Sequence, residues 1–369
     1  MIIIIYGTTA ELIKMIGLIR EFDANKVDYI TINTNWQAKE VKELIEYAGF
    51  PEPTISLTKG NKGKDITSMK QAVPWLASLK IGFIANNQRI RKLVKKSGKK
   101  PLVMVHGDTV TTPLGALWGR LQGYRVAHVE AGLRSHDWRN PFPEEIDRRI
   151  ATKLCRVHFA PGKIPISDLK KEKVKGDIID TGINTVYDAM ILAKESVTKS
   201  KIKLPKSYGL VSIHRVELLS KPDELRKLLE LVNNHAKAGH KLIFIDHPVT
   251  YDKINELDFN KYLSSKNITR IPKQKYFDFI QIVSKSDYIV TDSGGLQEEA
   301  AYLNIPCLVH RIASERQEGI GENVILSKYD GKIVKDFLAK PSKFRGKTAK
   351  PRQSPSGIIM KYLKKNNYV

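Results

Sequence analysis

Residues 128–149, HVEAGLRSHDWRNPFPEEIDRR, leave an apolar run and reach a helical one through Glu130, Arg134, Asp137, Arg139, Glu144 and Glu145. An ordinary strand-to-helix connection takes a few small or polar residues, and a longer one in a compact domain is functional or disordered. The well-patterned segments on both sides favour function. Upstream, Asp108 directly follows the apolar run VMVHG, so Asp108 and Glu130 end consecutive strand-like segments and Glu144 closes the long connection. Carboxylates at neighbouring strand tips repel, and like-charge proximity with desolvation raises at least one pKa. That suits general acid–base chemistry. Carboxylate clusters also hold Mg²⁺, and the plain alternative is a set of solvated loop acids paired with Arg134, Arg139 and Arg148.

A second constellation lies at TDSGGLQEEA, residues 291–300. It reads as a strand end, two glycines and a helix start. Ser293 is placed to cap the helix, and Gly294 and Gly295 let backbone N–H groups approach an anion at the positive helix end. Many strand-to-helix turns share that much. Glu299, one turn further on, adds a carboxylate able to accept hydrogen bonds from two neighbouring ribose hydroxyls while the helix start holds phosphates. SIHRVE contributes His214 and Arg215 at another strand end, and ASERQE contributes Arg316. Each alone is an ordinary structural residue; together they are cations that could converge on one anion.

The elements that must position these residues recur as short apolar runs followed by helical patterns. IIIIYG (2–7), VDYITIN (27–33), PLVMVHGD (101–108), YRVAHVE (124–130), VHFAPG (157–162) and DIIDTG (177–182) form the first series. The pattern restarts after residue 185 with YGLVSIHR (208–215), HKLIFIDHP (240–248), ITRIP (268–272), DYIVTDSGG (287–295) and IPCLVH (305–310). The runs are continuous rather than alternating, as in strands buried on both faces of a parallel sheet, and alternation with helices implies βαβ units. The expected fold is therefore α/β: two doubly wound, Rossmann-like parallel-sheet domains in series, facing a central cleft. Ligands of such sheets bind beyond the carboxyl ends of the strands, and the polar residues crowd those ends. The basic, Pro- and Ser-containing stretch 341–354 reads as a linker before a last helix at 356–365.

The totals agree. A chain of 369 residues, 41% hydrophobic and 27% charged, is of globular composition and long enough for two cores. Its net charge of +23 is spread over scattered lysines such as KKSGKK and KKEKVKG, the pattern of a solvated surface. A nucleic-acid-binding module would interleave aromatics with its basic runs. KKSGKK and KFRGKTAKPR hold a single phenylalanine between them, so no nucleic-acid partner is expected. Two distant cysteines, Cys155 and Cys307, read as reduced buried thiols rather than a disulfide or zinc framework. No run approaches the roughly 18 apolar residues of a membrane span, and a cytoplasmic protein is expected.

With these segments assembled, the chain resembles the UDP-N-acetylglucosamine 2-epimerase family, in its non-hydrolysing bacterial branch. GTTAELIK, VHGDT, HVEAGLR, PFPEEIDR, GIN, HRVE, TDSGGLQEEA and SERQE occur in order between residue 6 and about 330. The resemblance implies a glycosyltransferase-B-like architecture. Its domains would be 1–184 plus 355–369, the final helix crossing back, and 185–354. It also implies an isomerase that acts as a homodimer on a UDP-sugar, converting UDP-GlcNAc to UDP-ManNAc. The C2 proton is removed and UDP expelled from C1, giving a bound 2-acetamidoglucal to which UDP adds back. No nicotinamide is needed, because nothing is oxidised, and neither a cofactor nor a metal is expected. Asp108, Glu130, Glu144 and His214 match the family's catalytic groups. Ser293, Gly294, Gly295, Glu299 and Arg316 match its UDP contacts, Arg215 belongs with them, and Phe279 stands where the family has an aromatic beside uracil.

The resemblance also has gaps. The family's G-T-R-P-E reads Gly7-Thr8-Thr9-Ala10-Glu11, so a phosphate-binding arginine is replaced by Thr9, with Lys14 retained as a substitute cation. The second arginine of H-R-R-E is Val216, and the T-x-Q-H segment tied to an allosteric substrate site reads TNWQAKE. A UDP-sugar glycosyltransferase would share the fold and nucleotide wall without needing three clustered acids. A hydrolysing epimerase, or one for a modified UDP-N-acetylhexosamine, would share nearly every motif.

Overall fold

The computed structural model describes residues 1–66, 68–138, 142–196, 202–314, 316–346 and 353–369. The chain divides into two compact units, Met1–Ala189 with Pro351–Val369, and Met190–Lys350.

In the first unit, seven strands form one sheet: β1 (Ile2–Tyr6), β2 (Tyr29–Asn33), β3 (Ile55–Ser56), β4 (Leu102–His106), β5 (Arg125–Val129), β6 (Val157–Ala160) and β7 (Asp177–Asp180). They lie in the order β3-β2-β1-β4-β5-β6-β7, every neighbour parallel. The helices between them are α1 (Thr9–Ala24), α2 (Ala38–Ala48), α3 (Met69–Ser97), α4 (Thr111–Leu121), α5 (Glu144–Leu154) and α6 (Lys163–Lys171). Helix α7 (Val186–Glu195) then carries the chain into the next unit. All five residues of β1 and of β4 are buried, as continuous apolar strands require when helices cover both faces.

The second unit repeats the plan with β8 (Gly209–Ser212), β9 (Leu242–Asp246), β10 (Ile268–Pro272), β11 (Tyr288–Thr291), β12 (Cys307–Val309) and β13 (Val324–Leu326). Their order is β10-β9-β8-β11-β12-β13, again all parallel. Its helices are α8 (Val216–Leu219), α9 (Pro222–Lys237), α10 (Pro248–Glu256), α11 (Tyr276–Ser284), α12 (Gly294–Leu303) and α13 (Gly331–Ala339). One apolar cluster, with Leu225, Leu229, Phe244 and Phe337, fills one side of this sheet. Another, with Leu210, Ile245, Ile289 and Leu296, fills the other.

Helix α14 (Pro355–Lys365) returns to the first unit. Ser354 caps it by accepting from the Gly357 N–H at 2.9 Å, and the Ser356 N–H donates to Asp188 at 2.8 Å. Gly17 of α1 is what lets these helices approach. A Cβ there would sit 2.5 Å from Asp188 Cβ and 2.8 Å from Ser356 Oγ. The Met1 ammonium donates to the Tyr368 carbonyl at 3.3 Å, so the two chain ends meet in one unit.

The α/β fold with two parallel sheets is as expected. The run-and-helix pattern left residues 50–100 without an element, and they hold β3 and the 29-residue helix α3. Its core side chains Trp75, Leu79, Phe83 and Ile90 are matched on the far face by exposed Val73, Ile81 and Ile84, which blurs the period that marks an amphipathic helix. The expected linker at 341–354 opens with a 3₁₀ turn, Pro341–Phe344, and its residues 347–352 lie outside the described residues. Cys155 and Cys307 are buried and free. Among the described residues, no helix is long and apolar enough to cross a membrane.

Candidate active site

In each sheet the strand order reverses once, between β1 and β4 in the first unit and between β8 and β11 in the second. Open α/β sheets bind ligands at the carboxyl ends of the strands beside such a reversal. The chemistry-bearing residues of both units lie there.

In the first unit β1 runs into Gly7 and Thr8, and Thr8 caps α1 in a capping box with Glu11. The buried Glu11 carboxylate accepts from the Gly7 and Thr8 N–H groups at 2.8 and 2.9 Å, and from the Thr109 hydroxyl at 2.7 Å. Burial raises its pKa and these donors oppose the rise. Glu11 thereby ties the tip of β1 to the tip of β4. Beyond β4, Gly107 turns with a positive φ of 69°, and the Nε2–H of His128 donates to its carbonyl at 2.7 Å. Burial lowers the His128 pKa to about 4, which keeps the ring neutral. Asp108 follows and pairs with Arg148 of α5.

Glu130, directly after β5, has φ = 67°. A non-glycine residue in that region is strained, and such strain collects at functional sites. Its carboxylate meets the Lys14 amine at 2.5 Å and lies 3.5 Å from His106 Nε2. Glu144 is the first residue of α5, where negative side chains face the positive helix end. Its Oε2 is buried and finds no hydrogen-bond partner among the described residues. The neighbouring Glu145 is fully buried and accepts from Arg149 at 2.9 Å and from the Ser135 N–H at 3.0 Å. Arg148 reaches it at 3.4 Å.

Of the arginine pairings in the plain reading of solvated loop acids, one is present, Arg148 with Asp108. Arg134 is paired with Glu172 of the same unit at 2.7 and 2.8 Å, Arg148 with Asp108, and Arg139 lies outside the described residues. Asp108 and Glu144 are the charged neighbours of Asp147, a buried acid that motif reading passed over. Its burial first, then these two acids, push its pKa up to about 7. The available signal was its spacing: Glu144 and Asp147, three apart at a helix start, share a face. Among the described residues, no three His, Cys, Asp or Glu side chains gather as a metal ion would need.

In the second unit, β8 leads into His214 and β11 into Asp292. The fully buried Asp292 carboxylate accepts from the His214 N–H at 3.0 and 3.2 Å and from the Arg215 N–H at 2.9 Å. The His214 ring stands 3.8 Å from the same carboxylate and 4.5 Å from the His247 ring. Burial lowers the His214 pKa against the pull of Asp292. Burial, then His214 and Lys273, lower that of His247 to about 3. Ser293 caps α12 as expected, accepting from the Leu296 N–H at 3.3 Å. A Cβ on Gly295 would meet nothing nearer than Ser293 Oγ at 3.8 Å. Neither packing nor a left-handed φ therefore explains that glycine.

Gln297, one residue past the glycine pair and Leu296, accepts from the Ser314 hydroxyl at 2.7 Å and donates to the Arg316 carbonyl at 3.1 Å. It thus holds the Arg316 segment against α12. Arg316 is buried and stands 3.4 Å from Glu298. Glu299 is buried beside Tyr276, whose hydroxyl pKa rises through burial and through this carboxylate. Phe279 on α11 is half-buried against the core. Arg215 folds onto Glu217 at 2.9 and 3.1 Å, and Val216 is exposed. Thr9, the replacement for arginine, donates its N–H and hydroxyl to Gln37 Oε1 at 2.9 and 3.1 Å. Lys14, read as the substitute cation, is engaged with Glu130.

Residues 88–354 match the model of a family described as UDP-N-acetylglucosamine 2-epimerase. The chain belongs to that family. A UDP-N-acetylglucosamine 2-epimerase of Methanococcus maripaludis is 32% identical over 330 residues, 87% of this chain and 85% of the relative. One from Methanocaldococcus jannaschii is 31% identical over 349 residues, 90% of each chain. The crystal structure of the Neisseria meningitidis UDP-GlcNAc 2-epimerase, bound to UDP-GlcNAc, superposes with a TM-score of 0.79 at 25% identity, covering 99% of this chain and 100% of that one. The Methanocaldococcus jannaschii enzyme, in complex with UDP-GlcNAc and UDP, gives 0.76 at 27% identity with 99% of both chains covered. The UDP-GlcNAc 2-epimerase family is one of epimerases, a class of isomerase, so this chain is read as an enzyme of that class.

Proposed function

We propose that this enzyme interconverts UDP-GlcNAc and UDP-ManNAc without net hydrolysis, by eliminating and re-adding UDP through a 2-acetamidoglucal. In the forward step a base takes the C2 proton, the C2–H electron pair becomes the C1=C2 bond, and UDP departs with the C1–O pair. Re-addition of UDP and return of a proton to the other face of C2 complete the exchange. Inversion needs proton-transfer groups of different character. The observation that carries this reading is the contrast between two neighbouring carboxyl settings. Glu130 pairs with the Lys14 amine at 2.5 Å, while Glu144 and Asp108 stand near Asp147, whose pKa burial and these two acids push up to about 7. We assign proton transfer to Asp108, Glu130, Glu144 and His214, and the grip on UDP to Ser293, Gly294, Gly295, Glu299 and Arg316, with Phe279 beside uracil. Lys14 orders Glu130, and Arg215 braces the His214 turn through Glu217.

Incubation with UDP-GlcNAc in D₂O, followed by NMR, tests the reading. Deuterium at C2 of the UDP-ManNAc formed, with no free UDP accumulating, is expected. Protium retained at C2 would reject elimination, and free ManNAc with stoichiometric UDP would assign the hydrolysing outcome instead.

The working unit we propose is a homodimer. Val73, Leu76, Ile81 and Ile84 of α3 are all exposed, and residues 69–88 carry only Lys70 and Lys80 as charges, which suits a self-complementary contact. Light scattering at assay concentration should give twice the chain mass. The free buried thiols Cys155 and Cys307 fit a reducing compartment, and the cytoplasm is the proposed location.

A further inference from the structure

We propose that Glu11 is a positioning residue of this site: through the Thr109 hydroxyl it fixes the turn that presents Asp108. The inference rests on the epimerase reading, which gives Asp108 a part in proton transfer. The two oxygens of the Glu11 carboxylate have different partners. Oε2 closes the start of its own helix, accepting from the Gly7 and Thr8 N–H groups at 2.8 and 2.9 Å and from the Thr8 hydroxyl at 3.0 Å. Oε1 turns away from the helix and accepts from the Thr109 hydroxyl at 2.7 Å, with the Thr112 hydroxyl at 3.4 Å. A capping box asks for one side-chain acceptor at this position. The bond to Thr109, 98 residues along the chain, is therefore not explained by capping. Glu11 is only 2% exposed, so water does not compete for either oxygen.

Asp108 has an anchored residue on either side. Before it, the Gly107 N–H donates to the Val129 carbonyl at 3.0 Å, and the Gly107 carbonyl accepts from His128 at 2.7 Å. Both of these partners belong to β5. After it, Thr109 is held by Glu11, and the Thr109 carbonyl accepts from the Thr112 N–H at 2.9 Å. The left-handed φ of Gly107 marks the bend at which the chain leaves β4. A turn tied only at that bend can pivot about it; the bond to Glu11 ties its far side to α1. The Asp108 carboxylate pairs with Arg148, and the two anchors set where that pair is made. Lys14 stands three residues beyond Glu11, on the same face of α1, and its amine meets Glu130 at 2.5 Å. One helix face thus holds both acids, Glu130 by an ion pair and Asp108 through Glu11 and Thr109. Strands β4 and β5 are paired up to His106 and Val129, so the acids leave neighbouring strand tips. Spacing matters there, because a misplacement of about 1 Å can cost about 100-fold in rate.

Thr109→Val keeps the shape of the side chain and removes the hydroxyl, whereas Thr109→Ser keeps the hydroxyl and loses the shape. The valine variant should lower kcat about tenfold or more with KM and UDP affinity little changed, and the serine variant should stay within about threefold of the native enzyme. A packing role reverses that order. Glu11→Asp stays negative at the helix start but is one methylene short of Thr109, and should give the same loss of kcat from the other side of the bond. The latch is read without turnover by amide hydrogen exchange of residues 107–110 in the full chain. Exchange should be faster in Thr109→Val and Glu11→Asp and native-like in Thr109→Ser. Native exchange or native kcat in Thr109→Val, or a serine variant as impaired as the valine one, overturns the assignment. If Thr109→Val does not fold, Glu11→Asp decides by the same two readouts. A chain that shows this exchange pattern yet never epimerises UDP-GlcNAc would defeat the epimerase reading and leave the latch standing.

Discussion

The two strand-tip regions hold their polar groups with a different balance of charge pairs and backbone donors. Around β4, β5 and α5 the first unit packs charge on charge: Lys14 on Glu130, Arg148 on Asp108, and two guanidiniums on Glu145. Around β8, β11 and α12 the second unit has ion pairs too, Arg215 with Glu217 and Arg316 with Glu298, but adds backbone N–H groups and a neutral helix cap. There Asp292 takes two N–H groups, Ser293 caps a helix, and Gly295 leaves the helix start uncovered. Charge clusters tune protonation states, because each neighbour shifts the others. Backbone dipoles are fixed and insensitive to pH, which suits holding a diphosphate that stays anionic. On the proposed function, the comparison suggests a division of labour: most of the proton-transfer groups on the first sheet, with His214 joining them from the second, and the nucleotide held by the second.

That division can be broken by experiment. The largest effect is expected from Glu144→Gln, which should cut C2–deuterium exchange by about 10²–10⁴-fold, the range for losing a general acid or base. UDP affinity by calorimetry should hardly change. If exchange survives intact, Glu144 transfers no proton and the contrast loses one side. Next comes Glu299→Ala, predicted to weaken UDP binding by about 1.5–3 kcal/mol, as for hydrogen bonds to a charged group. An unaltered affinity would remove the ribose assignment.

Gly295→Leu sharpens the second half of the comparison. Open space around Gly295 means that folding tolerates a side chain, and a leucine in place of glycine favours the helix. Thermal stability should hold or rise while UDP affinity drops about tenfold or more, roughly 1.4 kcal/mol. A variant that binds UDP normally would show that the helix start is not the phosphate site.

The smallest effect concerns stability in the first unit. The Asp147 pKa stands at about 7 in the folded chain against an ordinary 3.8, so folding disfavours its ionised form. The resulting loss of stability is absent below the ordinary value, grows as pH rises, and is complete above about 7. Asp147→Asn should therefore raise Tm at pH 8 and leave it unchanged near pH 3.5, by about 2–4 °C for each kcal/mol relieved. Equal shifts at both pH values would point to packing rather than charge.

The sequence by itself determined most of both sheets and their tips, all but the short strands β3 and β13. Runs such as IIIIY and LVMVH bury every residue, and short runs rich in Ile and Val suit a strand covered on both faces. Polar residues directly after such runs must emerge at the carboxyl ends, so Asp108, Glu130, His214 and Ser293 could be placed before any coordinates. Helix α3 escaped because apolar side chains on both its faces hide the period. Only the tertiary structure decided the partners. Lys14 and Glu130 are separated by 116 residues, Asp108 and Arg148 by 40, and Asp292 reaches back 78 to the His214 N–H. It also decided that Arg215 turns to Glu217 and Thr9 to Gln37, and that Asp147 lies buried near Asp108 and Glu144. A residue type states what a side chain can donate or accept. Its protonation state depends on burial and on neighbours that the sheet order brings in from far along the chain.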